Sequence, residues 1–206
     1  MSGISFYIRV VRALEEIDAP YMIIGAFAGL AFGVSRATFD IDILVDLHPK
    51  ECQALAEQLP PPRYYADPIM MENSIRHGIL FNLIDTQEGV KADLVPLTRE
   101  PGYEAAFTRR IRQSFTDEAG NDFEAWCAQP TDIIIGKLKA WVEGRSSKHP
   151  GDIHDMLVFF LSGLSEAEID FALIATSAAQ LGHETQLLWQ ELVLKARASV
   201  QSHQEP

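Results

Sequence analysis

Cysteine is scarce in this sequence: Cys52 and Cys127 are the only two among 206 residues, with no C-x-x-C partner and no nearby histidine set. That excludes a disulfide framework and a structural zinc site, and both thiols read as buried core residues. Basic charge is short as well. Lys and Arg number 17 against 29 Asp and Glu, a net charge of −12. Coating nucleic acid over the whole surface needs Lys and Arg against phosphates, so it is excluded too. A polyanionic substrate has to be met locally, and two basic stretches are available: Arg109, Arg110 and Arg112, then Lys137, Lys139, Arg145 and Lys148. No apolar run approaches the ~20 residues of a membrane-spanning helix. The start, MSGISFYIRVV, lacks the basic segment, apolar core and small-residue cleavage site of a signal peptide, so a cytoplasmic protein with no membrane partner is expected. Repeats and low-complexity linkers are missing.

What is present reads as alternating strands and helices followed by helices alone. Phe6, Val10, Val11, Leu14 and Ile17 stand at helical spacing in residues 5–17, and Asp18-Ala19-Pro20 ends that helix. Tyr21–Ile24 is a short strand stopping at Gly25, and Ala26–Phe32 reads as a helix closed by Gly33. Phe39–Leu47 alternates strictly, with Phe39, Ile41, Ile43 and Val45 on one face and Asp40, Asp42, Leu44 and Asp46 on the other. Pro49–Leu59 and residues 68–77 read as helices on either side of Pro60-Pro61-Pro62. Ile79–Ile84 and Val90–Val95 form a hairpin about the loop Asp85–Gly89. Pro101–Asp122 has no clear period, and Phe123–Ala128 is one last strand. Pro130 opens a helix to Gly144, after which Asp152–Leu161, Ser165–Leu181 and Glu184–Ala198 each carry an apolar stripe. Ser165 with Glu168 suggests a capping box, and the tail QSHQEP is expected to fray. The class is α/β (α+β), a mixed sheet flanked by helices over residues 1–128 and a helical C-terminal region over 129–206.

The chemistry concentrates at one strand. Asp40 and Asp42 are two apart, so their carboxylates share a face, roughly 6–7 Å apart along the backbone. Like charges at that distance repel unless something holds them, and Mg²⁺ commonly binds one or two carboxylates together with substrate phosphates. A lone D-x-D is more often an ordinary solvent-facing strand edge. Upstream, however, Gly25 ends a strand and opens a helix whose first free amides, with Ala26, can face an anion. Glycine also lets a phosphate approach the backbone. A phosphate cradle and a metal site then lie within one nucleotide's reach.

The segment IIGAFAGLAFGVSRATFDIDILVD, residues 23–46, resembles the signature of the nucleotidyltransferase superfamily of the DNA polymerase beta type. It is most similar to the AbiEii-like bacterial minimal nucleotidyltransferases, whose R-x-T-x-D-I-D-L string reads here as Arg36-Ala37-Thr38-Phe39-Asp40-Ile41-Asp42-Ile43. That resemblance implies a third carboxylate on a later strand, supplied by Asp93 in KADLVPL. It extends to a D-x(n)-G-K string, Asp132 to Gly136-Lys137, and to a later acidic position at Asp152 or Asp155. One departure is Ala26, where the family's second residue is Gly or Ser.

What the resemblance implies is a nucleotidyltransferase-type fold and transfer of a nucleoside monophosphate from an NTP to a hydroxyl. Asp40, Asp42 and Asp93 would be the catalytic carboxylates and the ligands of two Mg²⁺ (or Mn²⁺) ions. Gly25 and Ala26 would meet the nucleotide, Lys137 would steady its phosphates, and Arg36 would pair with phosphate or brace Asp40. The acceptor is an RNA 3′ end, a protein or a small molecule. An antitoxin is the implied partner if the chain is the toxin of a toxin–antitoxin or phage-defence pair. Two rivals stand beside this reading: a catalytically degenerate nucleotide- or partner-binding module, for which Ala26 speaks, and a D-x-D glycosyltransferase, which needs a larger domain. His149 and His154 lack the spacing of a zinc helix, and Trp126, Trp141 and Trp189 read as packing residues. Ser35, Ser146 and Ser147 have no nucleophile-elbow context.

Overall fold

The computed structural model describes residues 5–38, 40–116, 120 and 122–204. Their contacts separate two units. One holds the residues up to Phe27 together with Thr38–Ala128, and the other holds Ala28–Ala37 and the residues from Gln129 onward.

The first unit is built on a mixed seven-stranded sheet. In chain order its elements are α1 (Phe6–Glu16), β1 (Tyr21–Ile24), the start of α2 (Gly25–Leu30), β2 (Asp40–Val45), α3 (Pro49–Gln58), β3 (Tyr64–Tyr65), α4 (Pro68–His77), β4 (Phe81–Asp85), β5 (Val90–Pro96), α5 (Tyr103–Thr108), β6 (Ile111–Thr116) and β7 (Asp122–Cys127). The strands lie in the order β3-β4-β5-β2-β1-β7-β6. β2 pairs parallel with β5, and β1 parallel with β7. The remaining pairs are antiparallel.

Local chemistry sets these elements. The Ser5 hydroxyl accepts from the Ile8 amide and starts α1, whose apolar stripe, Phe6, Val10 and Leu14, is buried. Asp67 accepts from the amides of Ile69 and Met70 at the head of α4, and Gly78 ends it in the left-handed region. Asp85, fully buried, accepts from the amides of Gln87 and Glu88 and from Arg63, which shapes the β4–β5 loop. Ile23, Ile41, Ile43, Leu83, Ala92 and Leu94 are fully buried on one face of the sheet. Burying each large aliphatic chain contributes about 1.5–3 kcal/mol. A one-residue slip of β2 would put Asp40 and Asp42 into that core, so the apolar alternation locks the register.

The second unit is helical: α6 (Pro130–Gly144), α7 (Lys148–Leu161), α8 (Phe171–Gln180) and α9 (His183–Gln204). Its segment Ala28–Ala37 packs at Gly33, where φ is +92° and a Cβ would collide with the Phe159 side chain. Phe32 stacks on Phe160 with centroids 6.1 Å apart.

The expected mixed sheet with flanking helices and a helical C-terminal part is present, with local corrections. Phe39, placed at the start of β2 from the sequence, lies outside the described residues, as do Glu205 and Pro206 of the tail. Residues 201–204 continue α9 rather than fray. The capping box at Ser165 and Glu168 does not form. Ser165 instead closes a turn with the Ala167 amide, and α8 starts at Phe171 with Asp170 as its cap. A tertiary bond decides this, because the Asp170 amide donates to Thr131 Oγ1 at 2.9 Å. α2 is shorter than expected and ends at Leu30, whereas α7 begins earlier, at Lys148. β3, α5 and β6 were not legible. β6 is an edge strand with only Phe115 buried, so its alternation is masked by polar residues.

Both cysteines are free and buried. Burial pushes the Cys52 thiol up to about 11, and it raises that of Cys127 further. Among the described residues no helix is long and apolar enough to cross a membrane.

Candidate active site

Strand register brings the candidate carboxylates together. Asp42 lies opposite Asp93 of β5 on one side and Ile24 of β1 on the other, and Asp93 lies opposite Asn82 of β4. The adjacent row runs Tyr65, Ile84, Lys91, Asp40. Residues paired across strands point to one face, so Asn82, Asp93, Asp42, Lys91 and Asp40 project together from the face opposite Ile41 and Ala92. Asp40 and Tyr65 are exposed and the others half-buried.

Gly25 has a sharper role than the sequence suggests. Its φ is +71°, a conformation L side chains rarely adopt, and a Cβ there would collide with the Asp42 carboxylate. The space vacated by the missing side chain therefore holds Asp42. Gly25 and Ala26 open α2, a helix of six residues.

Two residues around Asp93 escaped the sequence reading. Lys91 Nζ stands 2.9 and 2.8 Å from the two Asp93 oxygens and 3.9 Å from Asp40 Oδ1. Asn82 Nδ2 also donates to Asp93 Oδ1. The Lys91 ammonium is raised above its ordinary value, first by its bond to Asp93 against the opposing effect of burial. The signal was available: the two-residue spacing that aligns Asp40 with Asp42 also aligns Lys91 with Asp93.

These donors suit a hard divalent cation, but in a particular way. Among the described residues no group of three or more His, Cys, Asp or Glu is arranged to hold a metal ion. Both oxygens of Asp93 already face the Lys91 ammonium. Asp40 and Asp42, on one strand face, suit an ion completed by water and substrate phosphates.

Arg36 and Lys137 meet elsewhere, in the helical unit. Both bind Asp152: Arg36 through Nε at 2.7 Å and Nη2 at 3.0 Å, Lys137 through Nζ at 2.6 Å. Lys137 and Asp152 side chains are only 5% and 2% exposed. Arg36 thus braces Asp152 rather than the Asp40 suggested by the sequence, because the positive-φ turn at Gly33 lays its segment against α7. Burial alone would raise the Asp152 pKa, but the bonds from Arg36 and Lys137 outweigh it and hold the carboxyl below its ordinary value. Removing one partner of a buried pair leaves an uncompensated charge, so Asp152→Ala is expected to destabilise by about 3–5 kcal/mol, read from urea unfolding midpoints. A lowered native pKa also fixes the sign of the pH effect. The contribution is complete above the unfolded value of about 4 and disappears as pH falls through the lowered one. The gap between wild type and Asp152→Ala should close in acid; a gap that persists there, or an unshifted midpoint at neutral pH, would contradict the brace.

Asp155 accepts from the Ser35 amide and hydroxyl at 3.3 and 2.7 Å. His154 stands 3.4 Å from Ser199 Oγ, and His149 is lowered from its ordinary value, chiefly by burial. Three arginines of the basic stretches make local contacts. Arg110 lies over the rings of Phe107 and Trp126, Arg112 pairs with Glu15 at 2.5 Å, and Arg145 pairs with Glu184 at 2.7 Å and covers Trp141. Trp189 is buried beside Phe171.

No protein-family model matches the chain, and no curated protein sequence matches it. Among solved structures it is similar to the antibiotic-resistance factor ANT(2″)-Ia, at 15% identity over 96% of this chain and 94% of that one, TM-score 0.44. It is also similar to JHP933 from Helicobacter pylori, at 15% identity over 97% and 95%, TM-score 0.41. A third is an H. pylori protein assigned as a nucleotidyltransferase, at 14% identity over 97% and 95%, TM-score 0.47. Likeness at this identity and TM-score leaves function to be decided by the side chains.

Proposed function

We propose that this chain is a Mg²⁺-dependent nucleotidyltransferase of the DNA polymerase beta type, transferring a nucleoside monophosphate from an NTP to a hydroxyl. The observation that carries this reading is the placement of Asp42 over Gly25 and beside Asp93, on the sheet face opposite Ile41 and Ile43. Carboxylates gathered there repel one another, a cost that Lys91 offsets in part and that a bound cation would offset further.

Asp40 and Asp42 would hold the divalent ion, Mg²⁺ or Mn²⁺, which when bound neutralises triphosphate charge and acidifies the acceptor hydroxyl. Asp93, which accepts from Asn82 and Lys91, would receive the acceptor's proton as its oxygen attacks the α-phosphorus. The bond from that phosphorus to the β-phosphate oxygen breaks and pyrophosphate leaves. Gly25 and Ala26 form the close backbone approach to the nucleotide. Arg36 and Lys137 would support the helical unit through Asp152.

Net charge and the packed arginines favour a protein or small-molecule hydroxyl over a long RNA as acceptor. The AbiEii-like string from Arg36 to Ile43 supports the narrower reading of a toxin of a toxin–antitoxin or phage-defence system, with an antitoxin as partner. The degenerate binding module is the second reading, favoured by the engagement of Asp93 with Lys91.

The reading is tested by nucleotide binding and turnover together. Calorimetry should detect NTP binding with Mg²⁺ or Mn²⁺ and a loss of at least about tenfold in affinity with chelator, since carboxylates and triphosphate repel each other without a bridging cation. Equal binding in both conditions would remove the metal from the site. Binding with no pyrophosphate release across all four NTPs and a broad hydroxyl panel would leave the binding module.

A further inference from the structure

We infer that Lys91 takes the place of a second metal ion, so that the site binds one divalent cation per chain where the superfamily resemblance implies two. This rests on the nucleotidyltransferase reading and departs from its metal count. An ion joining the carboxylates of neighbouring strands must lie between β2 and β5, against Asp93 on one side and Asp40 or Asp42 on the other. Lys91 Nζ is already there, within 2.9 Å of both Asp93 oxygens and 3.9 Å from Asp40 Oδ1.

The fold holds it in place. Lys91 is paired with Asp40 in the parallel ladder and flanked by Ile84 on β4, so its stem rises from the face that bears the carboxylates. Asp93 is held from a third direction by Asn82, whose amide donates to the oxygen that Lys91 also contacts. A carboxylate so engaged is a poor ligand, because a cation would have to displace an ammonium and reorient the amide partner. Asp40 and Asp42 remain as the pair for a single ion, in keeping with the lack of any three-acid metal group among the described residues. The ammonium supplies a fixed positive charge with no affinity to saturate, so Asp93 is positioned before any metal binds. Lys91 is thus a positioning residue for Asp93.

The test counts ions directly. Mn²⁺ alone is titrated into the full chain, with free Mn²⁺ followed by electron paramagnetic resonance. Wild type and Lys91→Arg should bind one equivalent. Lys91→Met, which removes the charge from a half-exposed side chain while keeping most of its length, should gain a second equivalent. Asp93→Asn should change Mn²⁺ affinity less than twofold in the wild-type background, whereas Asp42→Asn should weaken it at least tenfold. Melting curves on each variant confirm folding, and the Asp93→Asn comparison decides the matter even if Lys91→Met fails to fold. Two equivalents in wild type, or a tenfold loss in Asp93→Asn, would overturn the inference while leaving the nucleotidyltransferase reading intact. Absence of Mn²⁺ binding in wild type would overturn both.

Discussion

Gly25→Ala is expected to reduce pyrophosphate release by about 10²-fold or more, the scale of loss that follows a misplacement of roughly 1 Å at a reacting group. The added carbon is small, yet it has nowhere to go: it would collide with Asp42 Oδ2 and lie 3.1 Å from Asp42 Cγ. Asp42 cannot withdraw along its strand, because β2 is locked in register by β1 and β5. Its carboxylate must swing away from Gly25. Alanine at φ +71° adds about 1–2 kcal/mol of backbone strain, so a modest fall in melting temperature should accompany the loss. A glycine needed only for phosphate approach would behave differently, weakening NTP binding while leaving Mn²⁺ affinity untouched. Displacement of Asp42 should weaken both. Wild-type turnover in a folded Gly25→Ala protein would show that Asp42 does not act from the position described.

The central half of this site was legible because a strand's two-residue period is unambiguous when its alternation is strict. Ile41 and Ile43 against Asp40 and Asp42 identified both the strand and the face that carries the charge. That Asp93 would lie beside Asp42 was implied by family resemblance alone, since the register of two strands about fifty residues apart depends on pairing that no local pattern encodes. Lys91 was legible too, since its alignment with Asp93 follows from the same period.

Arg36 and Lys137 show the opposite limit. Each reads as a basic residue near a phosphate site, yet both end on Asp152, more than a hundred positions from Arg36. The sequence marks Asp152 only as an acidic position of the helical part. What decides their partner is the packing of the Ala28–Ala37 segment with α6 and α7, a tertiary outcome set by Gly33 against Phe159. The same kind of override moved the start of α8, where a bond from the Asp170 amide to Thr131 prevailed over the local signal at Ser165.

Asp42→Asn and Asp93→Asn are each expected to lower transfer by about 10³-fold or more, and the double variant should lose little beyond the worse single. Each substitution removes one charge and almost no volume. Asp42 is proposed to hold the cation and Asp93 to take the proton, so either loss stops the reaction whatever the state of the other, and residues that act as a unit are not additive. Metal binding should divide them, with Asp42→Asn losing Mn²⁺ affinity and Asp93→Asn retaining it. Asp46 is the control. It follows directly after β2, and its amide donates to the Pro20 carbonyl at 3.1 Å, so Asp46→Asn changes a nearby charge outside the Asp42–Asp93 row. Pyrophosphate release and melting curves for wild type, both singles, the double and Asp46→Asn measure these effects in one series. Full activity in Asp93→Asn would move the proton acceptor to another residue. Comparable losses in Asp46→Asn would mean that the series reports net charge near the strand rather than a site.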